Sequence, residues 1–248
     1  EHAVMHLLYA RFFARVLHDL GLVPYKEPFK RLYNQGIILG PDGQRMSKSR
    51  GNVVNPDDYV RQYGADTVRT YLMFLGPWNA GGPWSPQGIQ GPWRFLNSVW
   101  ELASEDPPAP TQPDARTEDE LRRLMHRTTK IVTERYGSFQ FNTMLAELHT
   151  YRNGLQRARG RVSAALWDEA IRRLLLLLAP TAPHLAEELW ERRGYGGSVH
   201  LQAWPTWDEA LTVEERVNLV IQINGKVRDQ IEVARGLSEE QVRPLVLE

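Results

Sequence analysis

Apolar residues near the start of the chain recur at helical spacing. Val4, Leu7, Leu8, Phe12, Val16 and Leu20 predict a helix over 2–20, and Gly21 follows as its stop. The pattern is already running at Glu1, with no initiator methionine and no cap, the mark of a fragment or a cleaved product. Gly36-Ile37-Ile38-Leu39-Gly40 predicts a short buried strand, turned outward by Pro41-Asp42-Gly43. Asn55-Pro56-Asp57-Asp58 combines an N-cap, a proline at the first helical position and acids in the first turn. That helix is interrupted at Gly64 and resumes over 65–75. Residues 76–92, rich in Gly, Pro and Trp, predict an irregular connection, and a helix follows over 93–104.

Downstream, Pro107, Pro108, Pro110 and Pro113 make 105–116 a linker or exposed loop. Thr117 and Glu120 form a capping box ahead of Leu121, Leu124, Ile131 and Val132. Helices over 142–159, 163–179 and 183–193 follow, so 117–193 predicts an antiparallel bundle. Val217, Leu219, Ile221 and Ile223 then alternate, Asn224-Gly225 supplies a tight turn, and Val227, Ile231 and Val233 lie on the return strand. Ser238 caps a last helix.

Composition narrows the function. The 248 residues hold 30 basic and 30 acidic side chains, so no whole-chain field attracts polyanions and any nucleic-acid contact must come from local patches. Without cysteine there are no disulfides, thiolate nucleophiles or Cys-based zinc sites. The longest apolar run, Leu174 to Ala179, is too short to cross a membrane. The N-terminus lacks a secretory layout, so the expected setting is cytoplasmic, with no membrane partner.

The most informative residues are Arg45-Met46-Ser47-Lys48-Ser49-Arg50-Gly51-Asn52, a cationic, hydroxyl-bearing loop between a strand and a helix. Such a loop can fold over a triphosphate, its cations offsetting the charge that develops as pyrophosphate leaves. Read alone, a Ser-Lys-Ser loop favours the plainer reading, a solvated basic loop or a phosphorylation target. The opening helix offers His2 and His6 four apart, beside Glu1. Ordinary amphipathic packing accounts for them, and a metal pair would have only two imidazoles and one carboxylate.

The surrounding residues resemble class I aminoacyl-tRNA synthetases. Arg45-Met46-Ser47-Lys48-Ser49 is similar to their KMSKS motif, with Arg45 replacing the first lysine. Its continuation through Asn55-Pro56, and Tyr63-Gly64-Ala65-Asp66-Thr67-Val68-Arg69, resembles the Leu/Ile/Val subgroup. Glu1-His2-Ala3-Val4-Met5-His6-Leu7-Leu8-Tyr9-Ala10-Arg11-Phe12 resembles a helix of the leucyl members, as do Tyr71 to Pro77 and Ala179 to Trp190. The hairpin Ile221 to Arg228 resembles the opening of a bacterial-type leucyl C-terminal domain.

The resemblance covers essentially the whole chain and implies the C-terminal portion of such an enzyme. The fold it implies is mainly α: the end of a Rossmann-type catalytic domain over 1–76, a connection over 77–116, an anticodon-binding helical bundle over 117–205 and the start of a small α+β C-terminal domain over 206–248. It implies that Lys48 contacts the ATP phosphates as the catalytic cation, with Glu1, His2, Arg45, Met46, Ser47 and Ser49 also binding ATP. Met46 would lie near the adenine, Glu1 at the ribose and His6 in the amino-acid pocket. Arg45 keeps the charge of the replaced lysine but not its compact ammonium.

On the bundle, Arg122, Arg123, Arg127 and Lys130 line one helix, and Arg152, Arg157, Arg159 and Arg161 cluster at the end of the next. They are either tRNA-phosphate contacts or solvated faces balanced by nearby acids; the Glu187-Glu188 face reads as solvated. The implied partners are ATP with its Mg2+, leucine, tRNA(Leu) and the N-terminal half of the synthetase, whether in the same chain or a separate subunit. Zinc is not expected. The HIGH motif and first half of the nucleotide fold are absent from the sequence, so the implied chemistry needs a partner half. Apolar faces over 1–40 likewise expect a sheet to cover them. A module that only binds tRNA, and an isoleucyl or valyl fragment, remain the alternative readings.

Overall fold

The computed structural model describes residues 2–108, 110–213, 216–223, 226–234 and 239–247. Glu1, the Asn224-Gly225 turn and the cap at Ser238 lie outside the described residues. The chain divides into two units, one of residues 1–54 and 75–86, the other of 55–74 and 87–248.

The first unit opens with one π-helical turn, His2–His6, that runs into α1, Leu7–Asp19. The helix closes as its sequence requires: Gly21 N–H reaches His18 O at 2.9 Å and Leu22 N–H reaches Leu17 O at 2.9 Å. Its apolar stripe faces outward. Val4, Leu8, Phe12 and Leu20 are exposed, and only Ala14 is buried. Strand β1, Ile37–Leu39, pairs in parallel with β2, Gly81–Pro83, a strand inside the stretch expected to be irregular. Gly81 is what lets the two backbones meet, because a Cβ there would stand 2.2 Å from Ile37 O. The expected burial of β1 is not found: Ile37 is exposed, and Ile38 and Leu39 are half-buried. With a single three-residue neighbour, this sheet has too little surface to cover the strand.

The second unit begins with α2, Pro56–Tyr63, and α3, Ala65–Phe74, separated by Gly64. The cap read from the sequence is present, Asn55 Oδ1 accepting Asp57 N–H at 3.2 Å. Helix α4, Gln90–Ser104, starts earlier than its apolar pattern suggested. The bundle proper is α5, Ala115–Gly137; α6, Phe141–Ala158; α7, Ala164–Leu178; and α8, Pro183–Arg192.

The N-cap of α5 is Asp114, not Thr117: the carboxylate accepts Arg116 and Thr117 N–H and the Thr117 hydroxyl. An acidic side chain one turn upstream satisfies these donors, so Thr117 sits inside the first turn. The core follows from helical spacing. Leu121, Met125 and Val132 of α5 join Leu148, Tyr151 and Leu155 of α6 and Leu174, Leu175, Leu177 and Leu178 of α7 in one core, all 3% exposed or less. Tyr151 is wholly buried and its hydroxyl donates to Ala170 O at 2.9 Å, the partner such burial requires.

On α8, Glu187 is not simply solvated. It accepts Val199 N–H at 2.8 Å and Ser198 Oγ at 3.0 Å, capping the turn at Val199–Leu201. Strands β3, Arg216–Ile223, and β4, Lys226–Ala234, form the antiparallel hairpin, with an irregularity between Ile221 and Gln222, and α9, Glu239–Leu247, closes the described chain.

Candidate functional site

The cationic loop departs from β1. Gly40 N–H bonds Gln44 O at 2.8 Å, and Arg45 bridges back to Leu39 across the Asp42-Gly43 turn. Lys48–Arg50 form a single 3-10 turn, closed by Gly51 at φ +69°, a backbone state that glycine enters without strain. Ser47 Oγ and Ser49 Oγ lie 2.8 Å apart.

A side chain with no assigned role organises this loop. Asn52 Oδ1 accepts Ser47 N–H at 2.8 Å, while its Nδ2 donates to Asp42 Oδ2 at 3.0 Å and approaches Arg45 O at 3.3 Å. The Gln44 N–H, Asn52 and the nearby Arg50 hold the Asp42 carboxyl below its ordinary range. One amide therefore ties both ends of the loop together, and the sequence signal for it was only an Asp-Gly turn and an asparagine after Gly51.

The result is an open depression of about 430 Å³ lined by Arg45, Met46, Ser47, Ser49 and Arg50. Two guanidinium groups and two hydroxyls converge there, a donor set suited to phosphate oxygens. Lys48 is exposed and stands outside this lining, with no ion-pair partner among the described residues. His6 is also exposed, its ring 5.9 Å from that of Phe29. Among the described residues no cluster of three His, Asp or Glu side chains could hold a metal ion.

The bundle cations sort into two groups. Arg122 pairs with Glu118 at 3.4 Å, Arg123 with Asp119 at 2.8 Å and Arg161 with Asp114 at 2.5 Å. Lys130 pairs with Glu209, and Arg127 also has a partner. Arg157 and Arg159 make no ion pair among the described residues, and Arg152 places its Nε in a buried position without an acceptor. The free cations thus lie along the C-terminal end of α6, whereas those of α5 are largely balanced.

The unit that holds β1 and the loop thus carries a phosphate-type donor set, and the bundle carries a cationic edge at the end of α6. Residues 118–243 match the model described as anticodon-binding domain of tRNA ligase, and 12–80 match class I tRNA synthetases (I, L, M and V). The chain belongs to this tRNA-ligase anticodon-binding family.

Along its whole length it is homologous to leucine–tRNA ligases. That of Rubrobacter xylanophilus is 53% identical over 247 residues, which is 100% of this chain and 30% of that protein. The Deinococcus radiodurans enzyme is 45% identical over 97% of this chain and 29% of its own length. A crystal structure of an Agrobacterium radiobacter LeuRS in ternary complex with tRNA and LeuAMS superposes with a TM-score of 0.75 at 36% identity, over 99% of this chain and 33% of that one. The chain therefore spans about 30% of the length of the curated relatives it matches.

Proposed function

We propose that this chain supplies the ATP-closing loop and the tRNA-docking bundle of a leucine–tRNA ligase. Leucine attacks the α-phosphate of ATP, forming leucyl-adenylate and releasing pyrophosphate, and the leucyl group then passes to the terminal ribose of tRNA(Leu). The observation that carries this reading is homology to leucine–tRNA ligases along the entire chain, loop included.

In this reading Arg45, Ser47, Ser49 and Arg50 cradle the triphosphate in the depression they line, and Met46 packs near the adenine. Lys48, unpaired and on a tight turn, reaches the phosphates when the loop closes and stabilises the charge that moves onto pyrophosphate. Mg2+ arrives with ATP, as a companion of the phosphates. His6 lines the leucine pocket, with Glu1 and His2 toward the ribose. Arg157 and Arg159, with Arg152 beside them, meet tRNA phosphates; the balanced cations of α5 contribute less.

Catalysis needs a second half bearing the HIGH motif, joined in one polypeptide or as a separate subunit. The exposed apolar stripe of Val4, Leu8, Phe12 and Leu20 supports this, because an uncovered patch of that kind marks a surface that another element covers. The setting is cytoplasmic, where ATP and tRNA are found; no helix among the described residues is long and apolar enough to cross a membrane. The test is transfer of labelled amino acid to tRNA by the chain combined with a leucyl-type catalytic half. Charging of tRNA(Leu) with leucine, and not with isoleucine or valine, is the expected outcome. Failure to charge, with both pieces folded and associated, would leave a tRNA-binding module.

A further inference from the structure

Three helices of the second unit meet around a histidine to which no chemistry has been assigned. His149 of α6 stacks on Phe95 of α4, with ring centroids 4.1 Å apart and planes 25° from parallel. Phe95 is 1% exposed, so one face of the imidazole rests on the core. Phe74, the last residue of α3, stands beside it, with centroids 6.4 Å apart and planes at 39°. Unlike Phe95, Phe74 is 45% exposed. The junction therefore presents a flat apolar ring to water with a polar ring at its side.

The polar groups here are uncommitted. Neither ring nitrogen of the half-buried His149 has a hydrogen-bond partner among the described residues. Burial and the nearby Arg152 guanidinium lower the imidazole, which keeps it neutral, with one donor and one acceptor nitrogen. Arg152, one turn further along α6, makes no ion pair among the described residues, and its Nε has no acceptor. Arg157 and Arg159 follow, also without ion pairs among the described residues. The chain as a whole is neutral, so three unpaired arginines at one end of α6 form a local field for an anion.

This combination selects a nucleotide. An open aromatic ring takes the π-face of a base, a neutral imidazole meets the base's hydrogen-bonding edge, and a free guanidinium takes the adjoining phosphate. A base within a duplex has its faces stacked and its edge bonded already, so only an unpaired one fits. An acidic peptide would satisfy the arginines but leave Phe74 in water.

We propose that Phe74, His149 and Arg152 form a site for one unpaired base of the bound RNA. The base stacks on Phe74, its edge meets His149 and its phosphate meets Arg152. The site rests on the tRNA-docking reading above and goes beyond it, because phosphate contacts alone fix position on any RNA whereas an unpaired base marks one point of it.

Binding of a tRNA(Leu) transcript to the 248-residue chain, followed by fluorescence anisotropy at several salt concentrations, tests this. Phe74→Ala is expected to weaken Kd about tenfold, and Phe74→Trp, which keeps a stacking face, to stay within about twofold of wild type. Phe74→Ala should leave the salt dependence unchanged, since no phosphate contact is lost, whereas Arg152→Gln should lower its slope by about one. His149→Ala should weaken tRNA binding as Phe74→Ala does. A fully paired RNA hairpin should bind the wild type and Phe74→Ala equally.

A tRNA Kd for Phe74→Ala within about twofold of wild type overturns the proposal. So does an equal loss with the paired hairpin, which would place the effect in the fold of the bundle. A loss seen only in association with the catalytic half would make Phe74 part of a protein interface instead. A wild-type chain that binds neither RNA refutes the docking reading itself, and the base site with it.

Discussion

Asn52 Nδ2 lies 3.0 Å from Asp42 Oδ2, and this contact joins the turn that enters the cationic loop to the residue that leaves it. The same amide accepts Ser47 N–H, so the loop is shaped before any ligand arrives. Asn52→Ala removes both ties. Each hydrogen bond is partly exposed and worth about 0.5–1.5 kcal/mol, so melting should barely change. The loop's order should suffer instead, with a roughly tenfold higher ATP KM in pyrophosphate exchange by the combined enzyme. An unchanged KM would mean that Asn52 does not shape the loop.

Arg193 forms a polar junction between helices of the bundle. Its side chain, 8% exposed, donates to Asp168 at 2.8 Å, Asp106 at 2.7 Å and Ala103 O at 3.1 Å, joining α4, α7 and the end of α8. Tyr195 completes the set through Asp168 at 2.6 Å, and burial pushes its hydroxyl up to about 12. Arg193→Met should cost about 2–3 kcal/mol, below the usual cost of breaking a buried pair because Asp168 is half-exposed. Urea unfolding followed by tryptophan fluorescence measures this; a loss under about 0.5 kcal/mol would show the junction to be dispensable.

In the first unit, Arg11 and Arg15 both donate to Glu27, at 2.7 and 2.6 Å. These hydrogen bonds lower the Glu27 carboxyl to about 2. A carboxyl depressed on folding stabilises the fold above its unfolded value, about 4.3, and that contribution is lost as pH falls toward 2. An NMR titration of the Glu27 side chain should show a midpoint near 2. A midpoint at the ordinary glutamate value would show the pairing to be absent in solution.

The segment after α8 returns to α5 through His126, whose Nδ1 accepts Asp208 N–H at 2.9 Å. Burial and the nearby Arg173 lower the imidazole, while Glu169 and Asp208 oppose them. A histidine kept neutral by folding binds fewer protons than in the unfolded chain, so its contribution is complete above about 6.5 and declines as pH falls below that. Trp207 lies beside this contact in the chain. Its fluorescence should therefore shift as pH is lowered below 6.5, and the shift should vanish in His126→Gln. A pH-independent signal in the wild type would contradict the assignment.

The helices were legible because their apolar positions repeat with the period of the structure they form, as Leu121, Met125 and Val132 do on α5. Strand β2 was not, since Gly-Gly-Pro has no alternation to read and pairs only because Gly81 permits the approach. Asp114 was passed over as a cap because Thr117 with Glu120 matches a stronger local pattern. The loop residues were visible as a motif, but their scaffolding was not: Asn52 meets Asp42 only through the path of the chain. The basic residues on α5 read from the sequence as either an RNA face or a face balanced by nearby acids, and the acids that pair with Arg122 and Arg123 sit four positions earlier on the same helix.

The most direct measurement is leucine-dependent ATP–pyrophosphate exchange by this chain mixed with a leucyl-type half that carries HIGH, run beside the same mixture with Lys48→Ala. Lys48 is exposed and unpaired among the described residues, so its loss should leave folding intact. The account predicts exchange only in the mixture, and a loss of about 2–4 kcal/mol of transition-state stabilisation without the ammonium, a fall in rate of roughly 30- to 1,000-fold. Exchange that is unaffected by Lys48→Ala, or absent from a folded and associated mixture, would contradict it.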